Sequence, residues 1–198
     1  MKGGCTLLSG LRLVSAGLLL LTSTVTYADM IVVPTETVTL NANETLTIDG
    51  HFTINNTGKI NGNAGAKLKL TGNWDGSNNP DASKEPAVHL SGNGTSTISG
   101  NSTFGTLSAN KNINEFSGSR VEFAENTTQT IKYNLILMGL KQSNMIEVQT
   151  VPDSGTHTLS MGAGATVTAE NIKVMGSILF GYPSKLGDDA NNIEPWRQ

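Results

Sequence analysis

The stretch from Thr35 to Trp74 repeats itself at an offset of 22 residues, and no other property of the chain constrains its fold as tightly. Val38 falls on Ile60, Asn41 on Asn63, Leu46 on Leu68, Ile48 on Leu70, Gly50 on Gly72 and Phe52 on Trp74. Inside this repeat a shorter unit recurs as Leu46-Thr47-Ile48-Asp49-Gly50, Leu68-Lys69-Leu70-Thr71-Gly72 and Val88-His89-Leu90-Ser91-Gly92. Reduced copies end at Gly100 and Gly118. Each unit is a brief apolar strand closed by a small polar residue and a glycine. Self-similarity at this period marks units that cannot bury an apolar side alone and do so by stacking on their neighbours.

Val38-Thr39-Leu40, Leu46-Thr47-Ile48, Phe52-Thr53-Ile54 and Lys59-Ile60 follow one another at six to eight residues. Alternation over three residues turns two side chains to one face and one to the other. Asn41, Asn43, Asn55, Asn56 and Gly58 fill the gaps, and these types tolerate the left-handed conformations of sharp corners. Three short strands per repeat predict an all-β chain, a right-handed parallel β-helix (β-solenoid) with about 20–22 residues per rung. An antiparallel meander is the alternative, but it gives the 22-residue register no reason to exist. In the stacked reading Leu46, Leu68 and Val88 form one inward column and Ile48, Leu70 and Leu90 another. Phe52 then sits under Trp74, and Asn41 under Asn63 as a corner amide ladder.

Met30 to Val33 is apolar and Pro34 ends it, which suits a first edge strand. Thr71 to Pro86 contains no strand triplet and two prolines, so it is expected to replace the second and third faces of a rung with a projecting loop. The pattern resumes through Leu90, Ile98, Phe104, Phe123, Leu135, Val148, Val167 and Phe180, in looser register, with Ile146 to Val167 again near one rung. Residues 181–198 are polar and read as a tail or an incomplete rung. The organisation expected is thus a leader over 1–28, a solenoid over 29–180 and that tail.

Lys2 and Arg12, the run Leu18 to Leu21 and the small and polar residues through Ala28 have the order of a secretory signal. Cleavage is expected after Ala28. The leader's apolar core, interrupted by Arg12, Ser15 and Gly17, is too short for the ~20 residues of a spanning helix. Cys5, the single cysteine, leaves with it, so the mature chain has no disulfide and no thiol nucleophile. Losing Lys2 and Arg12 takes the 13 basic residues to 11 against 16 acidic ones, a net charge of −5. Nucleic acid and anionic lipid, which need concentrated Lys and Arg, are poor partners for it.

Candidate chemistry is sparse. Asp75, Ser77, Asn79 and Asp81 alternate as calcium-loop ligands do, but Pro80 stands where the turn glycine belongs and Pro86 at the twelfth position. Asp49, Asp75, Asp81 and Glu85, with His51 and His89 nearby, supply carboxylates of the kind glycoside hydrolysis needs. No arginine accompanies them, since Arg120 and Arg197 are the only ones after the leader. Charged side chains of this kind are usually solvated corner residues, and His157 reads as an exposed strand residue. No cofactor is implied. The loop residues Trp74, Asp75, Asn78, Asn79 and Asp81 are the expected contact, because an aromatic on a projecting polar loop suits carbohydrate or protein surfaces.

The repeated units at 46–50, 68–72 and 88–92, the Asn/Gly corners, the leader and the cysteine-free mature chain resemble the passenger segments of bacterial autotransporters and haemagglutinin-type adhesins. That resemblance implies a β-helix exported from a Gram-negative cell, attached to the outer membrane or secreted, and used in surface adhesion. Such passengers precede a membrane barrel, whose strands read as ~10-residue alternating segments. None follows Phe180, so the expectation is a passenger without its barrel, a partner-secreted protein or a shorter relative. Two other readings stay open: a carbohydrate-active β-helix enzyme, and a structural subunit that associates end to end through an uncapped rung.

Overall fold

Period-two alternation gives each short segment one apolar and one polar side, so extended strands are the local outcome and sheet pairing must satisfy their backbones. The computed structural model describes residues 11–12, 19–21, 25–55, 57–76, 86–111, 119–140, 145–152, 155–175, 177–181 and 193–194. All elements among them are strands. They come in turns. β1 (Leu11–Arg12), β2 (Leu19–Leu21) and β3 (Val25–Tyr27) are followed by β4 (Met30–Val32), β5 (Thr37–Leu40) and β6 (Thr45–Ile48). Next are β7 (Phe52–Ile54), β8 (Lys59–Gly62) and β9 (Lys67–Leu70), then β10 (Trp74–Asp75) and β11 (Ala87–Leu90). β12 (Thr95–Ser99) leads into the long β13 (Ser102–Asn110), and β14 (Arg120–Ala124) into the long β15 (Thr128–Met138). The described chain closes with β16 (Ile146–Val151), β17 (Thr156–Met161), β18 (Thr166–Glu170), β19 (Ile172–Met175), β20 (Ser177–Gly181) and β21 (Ile193–Glu194).

These strands form three sheets: β1 to β9 visit all three in a constant order, and β10 to β17 alternate between two of them. The first sheet runs β1-β4-β7-β10-β12-β14-β16-β19-β21, and a small second sheet runs β2-β5-β8. The third runs β3-β6-β9-β11-β13-β15-β17-β20, with β18 also on β15. Every pairing is parallel. Parallel neighbours cannot be joined by a hairpin, so each returns to its sheet only after the chain has passed through the others.

The repeat register is the pairing register. Leu46 lies beside Leu68, Leu68 beside Val88, Val88 beside Leu107 and Leu107 beside Leu135. Ile48, Leu70, Leu90, Ala109 and Leu137 form the parallel column. On the first sheet Met30, Phe52, Trp74, Ile98 and Phe123 are stacked in turn. All of these are buried, and residues from all three sheets belong to one apolar cluster. Each such side chain contributes on the order of 1.5–3 kcal/mol by leaving water.

Two corners show why the repeat keeps its small residues. The Gly72 N–H donates to Gly50 O at 2.9 Å, and a Cβ on Gly72 would stand 2.4 Å from that same oxygen. Gly72 therefore allows one corner to rest on the one below, as Gly50 does against Ala28 O, whereas Gly92 serves its unit by a left-handed φ of 85°. Asn43 and Gly65, again 22 residues apart, both take left-handed conformations, with φ of 62° and 75°. The Asn41 side chain is engaged within its own corner, where its Nδ2 donates to Glu44 Oε1 at 3.1 Å.

Several expectations need correction. The segment from Thr71 to Pro86 keeps its first face as β10 and is followed by a third-face strand, β11, so both are retained. Trp74 pairs with Phe52 on one side and Ile98 on the other, which holds that face in the ladder. Residues 77–85 lie outside the described residues. The stretch after Gly181 is not strandless, because Ile193 adds to the column above Ile172. Ile146 and Val167 are not one rung apart: Ile146 lies beside Ile172 in the first sheet and Val167 beside Leu135 in the third. In the stretch read from the sequence as a leader, β1, β2 and β3 pair with β4, β5 and β6.

Candidate functional site: a lysine-lined groove on the third sheet

The loop assigned as a contact divides into buried, surface and undescribed parts. Trp74 is 1% exposed, with its ring centroid 5.1 Å from both Phe52 and Phe104. Its Nε1 donates to Ser102 Oγ at 2.9 Å, and Ser102 Oγ donates to Gly76 O at 2.9 Å. Trp74 is therefore core, not a projecting contact, because the apolar column it completes outweighs the polar loop that follows it. Asp75 is half-buried on β10, beside Thr53 and Ser99. Asn78, Asn79 and Asp81, with Ser77 of the calcium pattern and Glu85, lie outside the described residues. Among the described residues no group of three or more His, Cys, Asp or Glu is placed to hold a metal ion.

The polar sides of β6, β9 and β11 form an open groove of about 910 Å³. Burying Leu68 and Leu70 turns Lys67 and Lys69 outward, and both are exposed. Two residues apart on one strand, they stand about 6.6–6.8 Å from each other at the backbone. Thr47 and His89 flank Lys69 in register, at the ~4.8 Å spacing of neighbouring strands. Thr45, Thr71, Ser91 and Asp49 add hydroxyls and one carboxylate, while Asn110 and Leu140 contribute from farther along the chain. Thr71 Oγ1 donates to Asp49 Oδ1 at 2.8 Å. The ion pairs among the described residues lie elsewhere, joining Glu147 to Arg120 at 2.6 Å and to Lys173 at 3.9 Å. Neither Lys67 nor Lys69 forms an ion pair among the described residues, and Asp49 is the one carboxylate that lines the groove with them.

Burial, reinforced by the positive charges of Lys67 and Lys69, holds the His89 imidazole below its ordinary pKa, so it is neutral near pH 7. Its Nδ1 shares a short hydrogen bond with Ser108 Oγ. This pair lacks the organisation of a nucleophile and its base. Ser108 is 3% exposed, and His89 Nε2 is buried without a hydrogen-bond partner, so no carboxylate orients the ring. Of the carboxylates suggested for glycoside hydrolysis, Asp49 lines the groove and Asp75 does not. The arrangement can bind through ammonium, hydroxyl and carboxylate groups, and it contains no assembled acid–base pair among the described residues.

Beyond Lys67 a second notch, of about 380 Å³, is walled by Tyr133 and floored by small residues that include Gly62, Ala64, Gly65, Ala87 and Gly105. Tyr133 is 55% exposed, and Lys67 lines both hollows. The alternation Lys67-Leu68-Lys69-Leu70 marks both lysines as outward in the sequence. Nothing local marks the two hollows, since Asn110 and Leu140 reach the groove, and Tyr133 the notch, only through stacking.

His157 corrects another expectation. It is fully buried, with its ring stacked 4.3 Å from Phe123, and Thr127 Oγ1 lies 3.0 Å from its Nδ1. Burial pushes its pKa down to about 4. Among the described residues no helix is long and apolar enough to cross a membrane. Comparison with family models, with curated proteins and with solved structures matches this chain to none of them.

Proposed function

We propose that the chain is a right-handed parallel β-helix, exported and displayed at a cell surface, whose task is recognition of a carbohydrate or surface protein without chemistry on it. The fold reading is supported by the constant order in which β1 to β9 visit three sheets, by the alternation of β10 to β17 between two of them, and by parallel pairing about one repeat apart. Right-handedness follows from the strong preference of parallel crossovers for that hand. The signal-like leader supports export. The contact is the lysine-lined groove, taking the place of the loop that carries Trp74.

The observation that carries this reading is the pairing of an open, hydroxyl-rich cationic groove with a His89–Ser108 pair that has no orienting carboxylate. Such a surface can hold a ligand, and among the described residues no carboxylate orients the histidine for ordered proton transfer. The test is to immobilise the purified chain on beads, expose them to cells, matrix proteins and a polysaccharide panel, and analyse the supernatant. Retention without fragments is expected. Release of unsaturated or reducing sugar ends would show an enzyme and overturn the reading.

A further inference from the structure

Resting on that recognition reading, we infer that the groove takes a linear acidic polysaccharide, with its anionic groups on Lys67 and Lys69 and a sugar ring on Tyr133. The charge argument comes first. The chain carries a net charge of −3, yet it sets two exposed ammonium groups side by side with no carboxylate paired to either among the described residues. Unpaired like charges repel each other, and an anion bound between them relieves that repulsion.

The lining also specifies the rest of the ligand. Thr45 and Thr47 donate or accept, Thr71 and Ser91 give their protons to Asp49 Oδ1 and Leu70 O and keep acceptor capacity, and the exposed Asp49 carboxylate only accepts. A ligand that satisfies both sets must carry anionic groups and hydroxyl donors together. Acidic sugars do so at every residue. A polynucleotide backbone offers dense phosphates and few donors, and a net-negative protein with two lysines supplies little of the counter-charge it needs.

Tyr133 extends the site in one direction. Its ring is exposed above a floor of glycine and alanine, and Lys67 joins this notch to the main groove. An aromatic face with a polar tip, next to small residues, leaves room for one flat pyranose ring. Lys67 is thus placed to hold the acid group next to the ring that Tyr133 supports. His89, neutral beside Lys69, adds no third cation.

The test uses the purified chain on columns of polygalacturonate, dextran sulfate, neutral dextran and oligo-thymidylate. Variants are Lys67→Gln with Lys69→Gln, Lys67→Arg with Lys69→Arg, Tyr133→Ala, and Lys173→Gln as a lysine outside the groove. Circular dichroism of each checks the fold. Retention of the unaltered chain on one or both acidic columns is expected, with release as salt rises to about 0.3 M. The double glutamine variant should lose affinity about tenfold or more, the double arginine variant should retain it, Tyr133→Ala should lose a few-fold, and Lys173→Gln should match the parent. The stronger of the two acidic columns identifies carboxylate or sulfate as the group bound. Equal retention by the double glutamine variant, retention on neutral dextran alone, tighter binding to oligo-thymidylate, or retention on none of the columns would each overturn the inference. None of these outcomes produces sugar fragments, so each is distinguishable from the result that would make the chain an enzyme.

Discussion

At the scale of single residues, the corners and the aromatic column hold the most information. A Cβ on Gly65 would sit 2.3 Å from Asn43 Oδ1, on a backbone at φ +75°. Gly65→Ala is therefore expected to destabilise by more than about 1 kcal/mol, since both the left-handed conformation and the close approach oppose it. Gly94 meets nothing within 4 Å, so Gly94→Ala should fall within about 0.5 kcal/mol of the parent. Urea midpoints of the two variants measure the contrast. Trp74→Ala should cost about 3–5 kcal/mol, because it opens a cavity between Phe52 and Phe104 and removes the donor to Ser102. A midpoint unchanged from the parent would mean that the ring is not core. The position of Trp74 was legible from the 22-residue register and was obscured by the polar residues after it. The register was the better guide, because a strand residue answers to its stacked partner more than to its chain neighbours.

Strands show which parts of the pattern carry over distance. β6, β9 and β11 could be read directly, since their units alternate cleanly and recur at 22 and 20 residues. β13 and β15 could not, because each is long enough to carry two pairing segments, and a register shift between Phe104 and Thr106 interrupts the alternation. The groove was hidden for the same reason: Asn110 and Leu140 follow from how these long strands stack. His157 on β17 was also hidden, since a histidine between threonines reads as polar, whereas Phe123 of β14 covers its ring. Its folded pKa of about 4 lies below the ordinary 6.5, so between those values the unfolded chain binds more protons than the folded one. Stability from keeping His157 neutral is present above about pH 6.5 and lost as pH falls toward 4, by roughly 3 kcal/mol in all. Thermal midpoints from pH 7 to 4 should fall more steeply in the parent than in His157→Phe. Parallel curves would remove His157 as the source.

Over the whole molecule, parallel pairing makes each turn depend on its immediate neighbours and on little else. Val148 of β16 lies between Val121 of β14 and Val174 of β19, and no pairing connects it to the turns that contain β5, β6 and β9. For the stacked β-helix proposed above, stability is close to a sum of unit and interface contributions, so a local loss stays local. Val148→Ala removes buried methyl groups at a fully buried position and should cost about 1–2 kcal/mol. Native-state hydrogen exchange is the measurement that separates the two behaviours. Amides of β14, β16 and β19 should exchange faster in the variant by roughly tenfold, while those of β5, β6 and β9 should keep the parent's rates. A uniform acceleration through all three sheets would instead mean that the chain opens as one cooperative unit. The apolar columns would then act as a single core, and the groove on β6, β9 and β11 would lose its independence from events at β16. Local exchange, by contrast, leaves the groove's lysines fixed in place while distant turns open and close, which is what the proposed recognition role requires.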